Sequence, residues 1–246
     1  MKKILGFTLA EVLITLGVIG VVAALTMPSL IANYQKKVWV NQLKKSYSVI
    51  SQALNKIAAD EDVDNFSNTH LYNLIAGTTT SYGEHGGPPI VTSNSDGNEE
   101  EITNIFKQYF NTVNVCPIGQ TDCIPDSMKN YLKLNGTVSS GGPMNPNGSY
   151  EQQHGIYLFM SDGSVYIFKD TMVFVDVNGP KGPNKWGRDA FLFTSTGGYG
   201  IYNNKFGPWI DGSERCSSGH ECDCGDKSYG WECAAKIIND GWNMDY

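Results

Sequence analysis

Hydrophobic residues are distributed unevenly along the 246-residue chain. Between Phe7 and Met27 the sequence is apolar almost without interruption, and Glu11 is the only ionisable side chain in the run. About 20 apolar residues in a helix cover a hydrocarbon core of roughly 30 Å, so this stretch predicts a membrane-spanning helix. Pro28 removes one backbone donor and predicts a kink, not a stop. Beyond it, Leu43, Tyr47, Ile50, Leu54 and Ile57 recur at spacings of three and four residues, with Lys44, Lys45, Ser48 and Gln52 off that stripe. The spacing predicts an amphipathic second half whose apolar stripe docks on a globular domain.

Residues 60–149 carry a weaker pattern. Stretches 69–76 and 99–110 predict short helices, the second with Ile102, Ile105, Phe106, Tyr109 and Phe110 as its apolar set. The remainder reads as loop, with glycine- and proline-rich breaks at 83–89 and 141–148. From Gly155 the period changes to that of strands: Ile156–Met160, 165–168, 172–177, Ala190–Thr194 and 199–202. Asp162-Gly163 between the first two suits a tight hairpin turn. Successive short connections imply an antiparallel meander, with one apolar face covered by the helix stripe. The expected class is α+β, a long N-terminal helix packed on an antiparallel β-sheet.

Composition narrows the reading. Eighteen basic and 25 acidic residues leave the chain at −7, so no nucleic-acid partner is expected. Six cysteines, an even number, suit disulfides in an oxidising compartment. Cys116 and Cys123 bracket a loop short enough for a local bridge. Cys216, Cys222, Cys224 and Cys233 cluster with His220; a zinc site is the alternative, but paired C-x-x-C knuckles are lacking, and the three possible pairings of these four stay open. His70, His85, His154 and His220 sit in polar or loop contexts, and no nucleophile elbow, zinc-protease or phosphate-loop motif occurs, so no enzyme is expected. Lys36, Lys37, Lys44 and Lys45 after the span leave its orientation undecided by charge.

Glu11 is the anomaly of the apolar run, because a carboxylate in an insertion segment is costly unless paired. A cut after Gly6 would supply the pair, the new α-amino group of Phe7 on a neighbouring copy. Gly6-Phe7-Thr8-Leu9-Ala10-Glu11-Val12-Leu13-Ile14 closely resembles the processing site of type IV prepilins and type II secretion pseudopilins. That resemblance implies a pilin-like fold, cleavage between Gly6 and Phe7 by prepilin peptidase, N-methylation of Phe7, and Glu11 as the residue that sets assembly register. It implies a leader at 1–6, a transmembrane or filament-core helix at 7–30, an amphipathic continuation at 31–60, and an extracytoplasmic domain at 61–246. The implied role is a structural subunit of a type II secretion pseudopilus or type IV pilus-like filament, held in the membrane by one span and assembled in the periplasm or on the cell surface. Its implied partners are the peptidase, other pilin or pseudopilin subunits and an inner-membrane assembly platform. An ordinary secretory signal cut near Val22-Ala23-Ala24 is countered by Glu11 within its core. An uncleaved anchor for an extracytoplasmic binding protein or adhesin explains the length but leaves Gly6-Phe7 and Glu11 as coincidence.

The stretch 176–189 joins two expected strands. Asp176, Asn178 and Asp189, with a glycine-rich bend between, are oxygen donors of the kind calcium accepts. The stretch loosely resembles a calcium loop of major pseudopilins. No bidentate Glu closes it, however, and Lys181, Lys185 and Arg188 add positive charge. The reading favoured here is a rigid connection in which Asp176 accepts backbone N–H groups and Asp189 pairs with Arg188 or a lysine.

Overall fold

The computed structural model describes residues 8–76, 78–81, 90–93, 98–117, 120, 122–139, 155–169, 171–196, 205–210, 224–225 and 229–246. Helix α1, Leu9–Asp60, carries the whole helical pattern in one element and passes Pro28 without ending. The chain forms two units, Met1–Val38 and Trp39–Tyr246. In the first, no described residue is buried, and Leu13, Ile14, Leu16, Val18, Ile19, Leu25 and Ile31 are each more than half exposed. Helix α1 is long and apolar enough near its N-terminus to cross a membrane.

The second unit begins with Trp39 on α1 and continues through α2 (His70–Ala76) and a pair of antiparallel strands, β1 (Thr78–Ser81) and β2 (Ile90–Ser93). Helix α3 (Glu99–Tyr109) follows, with three glutamates in its first turn, where the helix dipole favours negative charge. The main sheet is β3 (Thr112–Cys116), β4 (Ile156–Met160), β5 (Val165–Lys169), β6 (Met172–Asp176), β7 (Ala190–Thr194) and β8 (Gly207–Pro208). They lie side by side in chain order, every neighbouring pair antiparallel. Helix α4, Cys233–Asn239, closes the fold. The β4–β5 turn is fixed by Asp162, whose Oδ1 accepts the Ser164 amide at 3.0 Å and the Ser164 hydroxyl at 2.7 Å. Gly163 supplies the left-handed φ of +90° that this turn needs.

Two expectations are corrected. The stretch between α2 and α3 was expected as loop but contains β1 and β2, whose Thr- and Ile/Val-rich segments are ordinary strand sequences. The sheet, expected to bury one face, buries both. Ile156, Leu158, Met160, Tyr166, Phe168, Val173, Val175, Phe191 and Phe193 pack with the stripe Leu43, Ile50, Leu54 and Ile57 and with Phe106 of α3. Alternate positions Tyr157, Val165, Ile167, Phe174 and Leu192 point the other way, against Ile124, Met128, Tyr131 and Trp186. A strand covered on both sides has no polar face to alternate with, which is why Ile156-Tyr157-Leu158-Phe159-Met160 reads as a continuous apolar run. The strand expected at 199–202 lies outside the described residues, as do the breaks at 83–89 and 141–148; β8 is the neighbour that pairs with β7.

Candidate functional site

The start of α1 is built by its own sequence. Thr8 precedes the first helical residue, and its Oγ1 accepts the Glu11 amide at 3.3 Å. In return Glu11 Oε2 accepts the Thr8 amide and the Thr8 hydroxyl, both at 2.8 Å. This is a capping box, the reciprocal arrangement of a Thr before the helix and a Glu three residues later. It satisfies backbone donors that no helical carbonyl can reach. The motif Thr-x-x-Glu was present in the sequence, and Thr8 is the site residue that the reading of Glu11 alone passed over. Gly6 and Phe7, expected at the processing site, lie outside the described residues.

The second candidate is the β6–β7 connection. Asp176 ends β6 and Asp189 immediately precedes β7, and neither has any exposed surface. Asp176 Oδ1 accepts the amides of Asn178 at 3.2 Å and Gly179 at 2.6 Å, while Oδ2 accepts the Tyr131 hydroxyl at 2.7 Å. Asp189 Oδ2 accepts the Asn184 amide at 2.9 Å and Oδ1 the Lys185 amide at 2.7 Å. Asp176 thus has the backbone role expected for it. Asp189 does not pair with Arg188 or a lysine: the Arg188 guanidinium donates to the main-chain oxygen of Tyr246 and lies 5.1 Å from the centre of its ring. Backbone amides reach Asp189 inside the turn and occupy both of its oxygens. Burial, and then the charge of Asp189, push Asp176 up to about 8. Burial also raises Asp189, against the amides that favour its charged form. Tyr131, wholly buried beside Asp176, is raised by burial first and by that neighbouring charge.

Asn178 sends its amide nitrogen to the Gly182 carbonyl, and Asn184 sends its own to the Ser127 carbonyl. Their side-chain oxygens are buried with no hydrogen-bond partner, and they are the part of the set that suits a cation. The carboxylates suit one poorly, since all four of their oxygens already face N–H or O–H donors. Among the described residues, no group of three or more acidic, His or Cys side chains could hold a metal ion. The donor set as a whole therefore does not fit calcium, which takes about six to eight oxygens.

Elsewhere the structure joins Cys116 to Cys123 and Cys224 to Cys233, while Cys216 and Cys222 lie outside the described residues. Cys224 and Cys233 are thus engaged with each other and are not zinc ligands in this fold. His70 Nε2 is 2.9 Å from Glu101 Oε1 in an exposed pair; the other three histidines lie outside the described residues. Lys45 on α1 reaches Asp162 of the β4–β5 turn at 2.7 Å. Burial works to raise Asp162, but Lys45 and Ser164 together hold it below its ordinary value. No protein-family profile, no curated protein and no solved structure matches this chain.

Proposed function

We propose that this protein is a structural filament subunit of the type IV pilin and type II secretion pseudopilin class, processed between Gly6 and Phe7, with Glu11 setting the register between neighbouring copies. The observation that carries this reading is a contrast within one helix. Apolar side chains from Leu9 to Ile31 are exposed along the subunit, and the single carboxylate among them sits in the first turn. Lipid can cover such a surface before assembly and identical helices can cover it afterwards. Capping its first turn gives Glu11 a use in any helix, and a helix that must find a register has a second use for its charge, because a neighbour's Phe7 amine would meet it at one stagger only.

The second unit is in keeping with this. Its two described disulfides suit an oxidising compartment, which supports this reading. Among the described residues both edges of its sheet are blunted, β3 by an irregularity between Thr112 and Asn114 and β8 by its two-residue length and Pro208. Edges of that kind resist pairing with other strands and leave the helix as the assembling element. Mass spectrometry of the mature N-terminus in the native host tests the reading. The expected chain begins at Phe7 with one added methyl; an intact Met1 or a start near Ala24 would overturn it.

A further inference from the structure

We propose that the β6–β7 connection is a clasp closed by hydrogen bonds and not by a divalent cation, and that it seats the segment 230–246 on the sheet. The resemblance noted above would assign this stretch to calcium, and the geometry points elsewhere. A calcium ion needs lone pairs converging on one point, at about 2.3 to 2.6 Å. Here each of the four oxygens of Asp176 and Asp189 already accepts at least one N–H or O–H. The amides of Asn178 and Gly179 and the Tyr131 hydroxyl lie on Asp176, and those of Asn184 and Lys185 on Asp189. Tyr131 comes from outside the connection, 45 residues away in sequence, so the carboxylate at position 176 is oriented by tertiary packing and has no need of an ion to fix it.

The clasp is also tightly seated on both sides. A Cβ on Gly179 would come within 2.6 Å of the Gly163 carbonyl oxygen in the β4–β5 turn. A Cβ on Gly187 would come within 2.6 Å of Cys233 Sγ, and one on Gly230 within 2.8 Å of the Trp186 main chain. Tyr246 then closes over it, its hydroxyl donating to the Gly187 carbonyl at 2.8 Å and its main-chain oxygen accepting from Arg188. Each of these contacts needs the connection in its hydrogen-bonded shape. An ion drawn onto Asp176 and Asp189 would compete with the bonds that hold it there. This clasp is the same whatever the N-terminal helix assembles into, so its failure and that of the filament reading are separately visible.

The test uses the full chain in detergent micelles, with thermal unfolding followed by tryptophan fluorescence in excess EGTA and in excess calcium chloride. The expected midpoints coincide, and calorimetric titration with calcium shows no saturable uptake. A site filled at a hundredfold excess over its Kd would raise the midpoint by roughly 5 to 10 °C, and such a rise, or stoichiometric uptake with or without it, overturns the proposal. Tyr131→Phe is expected to lower the midpoint by about 2 to 4 °C, equally with and without calcium. Tyr246→Phe removes one hydrogen bond from the seat and is expected to speed limited proteolysis within 230–246 by about fivefold. Unchanged cleavage there would remove the seating role.

Discussion

The two halves of α1 obey opposite rules although they are one continuous helix. Before Val38 the apolar residues encircle the helix and none is buried; after Trp39 they narrow to a stripe, and Leu43, Ile50, Leu54 and Ile57 are fully or almost fully buried against the sheet. The second half is stabilised by packing within its own unit, as most helices in globular domains are. The first half has no such support within its unit. Helical pattern therefore reports two things here. A stripe marks where the chain folds on itself, and a full apolar cylinder marks a surface that its own fold leaves uncovered.

The most severe way to break this contrast is to make the same substitution on each side of it. Leu43→Ala removes a side chain with no exposed surface from the centre of the helix–sheet packing, and a cost of about 2 to 5 kcal/mol to the stability of the second unit is expected. Leu16→Ala, at a position 61% exposed, should leave that stability unchanged. Chemical denaturation of the two full-length variants in detergent measures both. A loss at Leu16 comparable to that at Leu43 would mean that the first half supports the fold after all.

Removing the Cys116–Cys123 bridge by a paired Ala substitution comes next. The cysteines lie seven positions apart in sequence, and in the chain-entropy picture closing so short a loop contributes roughly 2.5 kcal/mol. Its effect is expected in the second unit alone, with membrane insertion unchanged.

Acidity sharpens the contrast in another way, because the raised carboxylates lie in the second unit. Asp176 is moved from 3.8 to about 8, so between those values the folded state holds a proton that the unfolded chain releases. Its contribution is complete below the unfolded value, declines as pH rises through the window, and is lost above about 8. Asp189 is shifted in the same direction and adds to the same slope. Thermal midpoints should fall from about pH 5 to about pH 8, and Asp176→Asn should flatten that decline. A midpoint that rises with pH over this range in the wild-type protein would contradict the raised carboxylate.

How much of this was legible depended on how local the cause was. The long helix, its docking stripe and four strands of the meander follow from periodicities spanning only a few residues. Strand β3 did not announce itself: Thr112-Val113-Asn114-Val115-Cys116 is short, leaves Val113 exposed and runs directly into the Cys116 loop. Helix α4 is seven residues long and begins at Cys233, so the cysteine pattern masked its apolar positions. The two-sided burial of the sheet was encoded in the uninterrupted runs of β4 to β7. Naming what covers the second face would have required knowing that Ile124, Met128 and Tyr131 fold back over it. The partner of Asp176 was illegible for the same reason: Tyr131 is far away in sequence, and nothing local marks it. Thr8 was the reverse case, a purely local signal three residues from Glu11.

The gentlest perturbations act at that signal, and they separate the capping role of Glu11 from the register role proposed for it. Gln at the third helical position can still receive and return the bonds of a capping box, so Glu11→Gln keeps the helix start while removing the charge. Thr8→Ala does the converse. It leaves the carboxylate in place but takes away the cap hydroxyl, at a typical cost of about 1 kcal/mol to the end of the helix. If register depends on charge, Glu11→Gln should insert and be processed normally yet form few cross-linked neighbours when it is the only copy present. Thr8→Ala should assemble better than Glu11→Gln despite its weaker helix start. If only an ordered helix start matters, the order reverses. Cross-linked ladders from the two variants, compared at matched membrane levels, decide between these outcomes, and normal ladders from Glu11→Gln would mean that its charge is not what aligns one copy with the next.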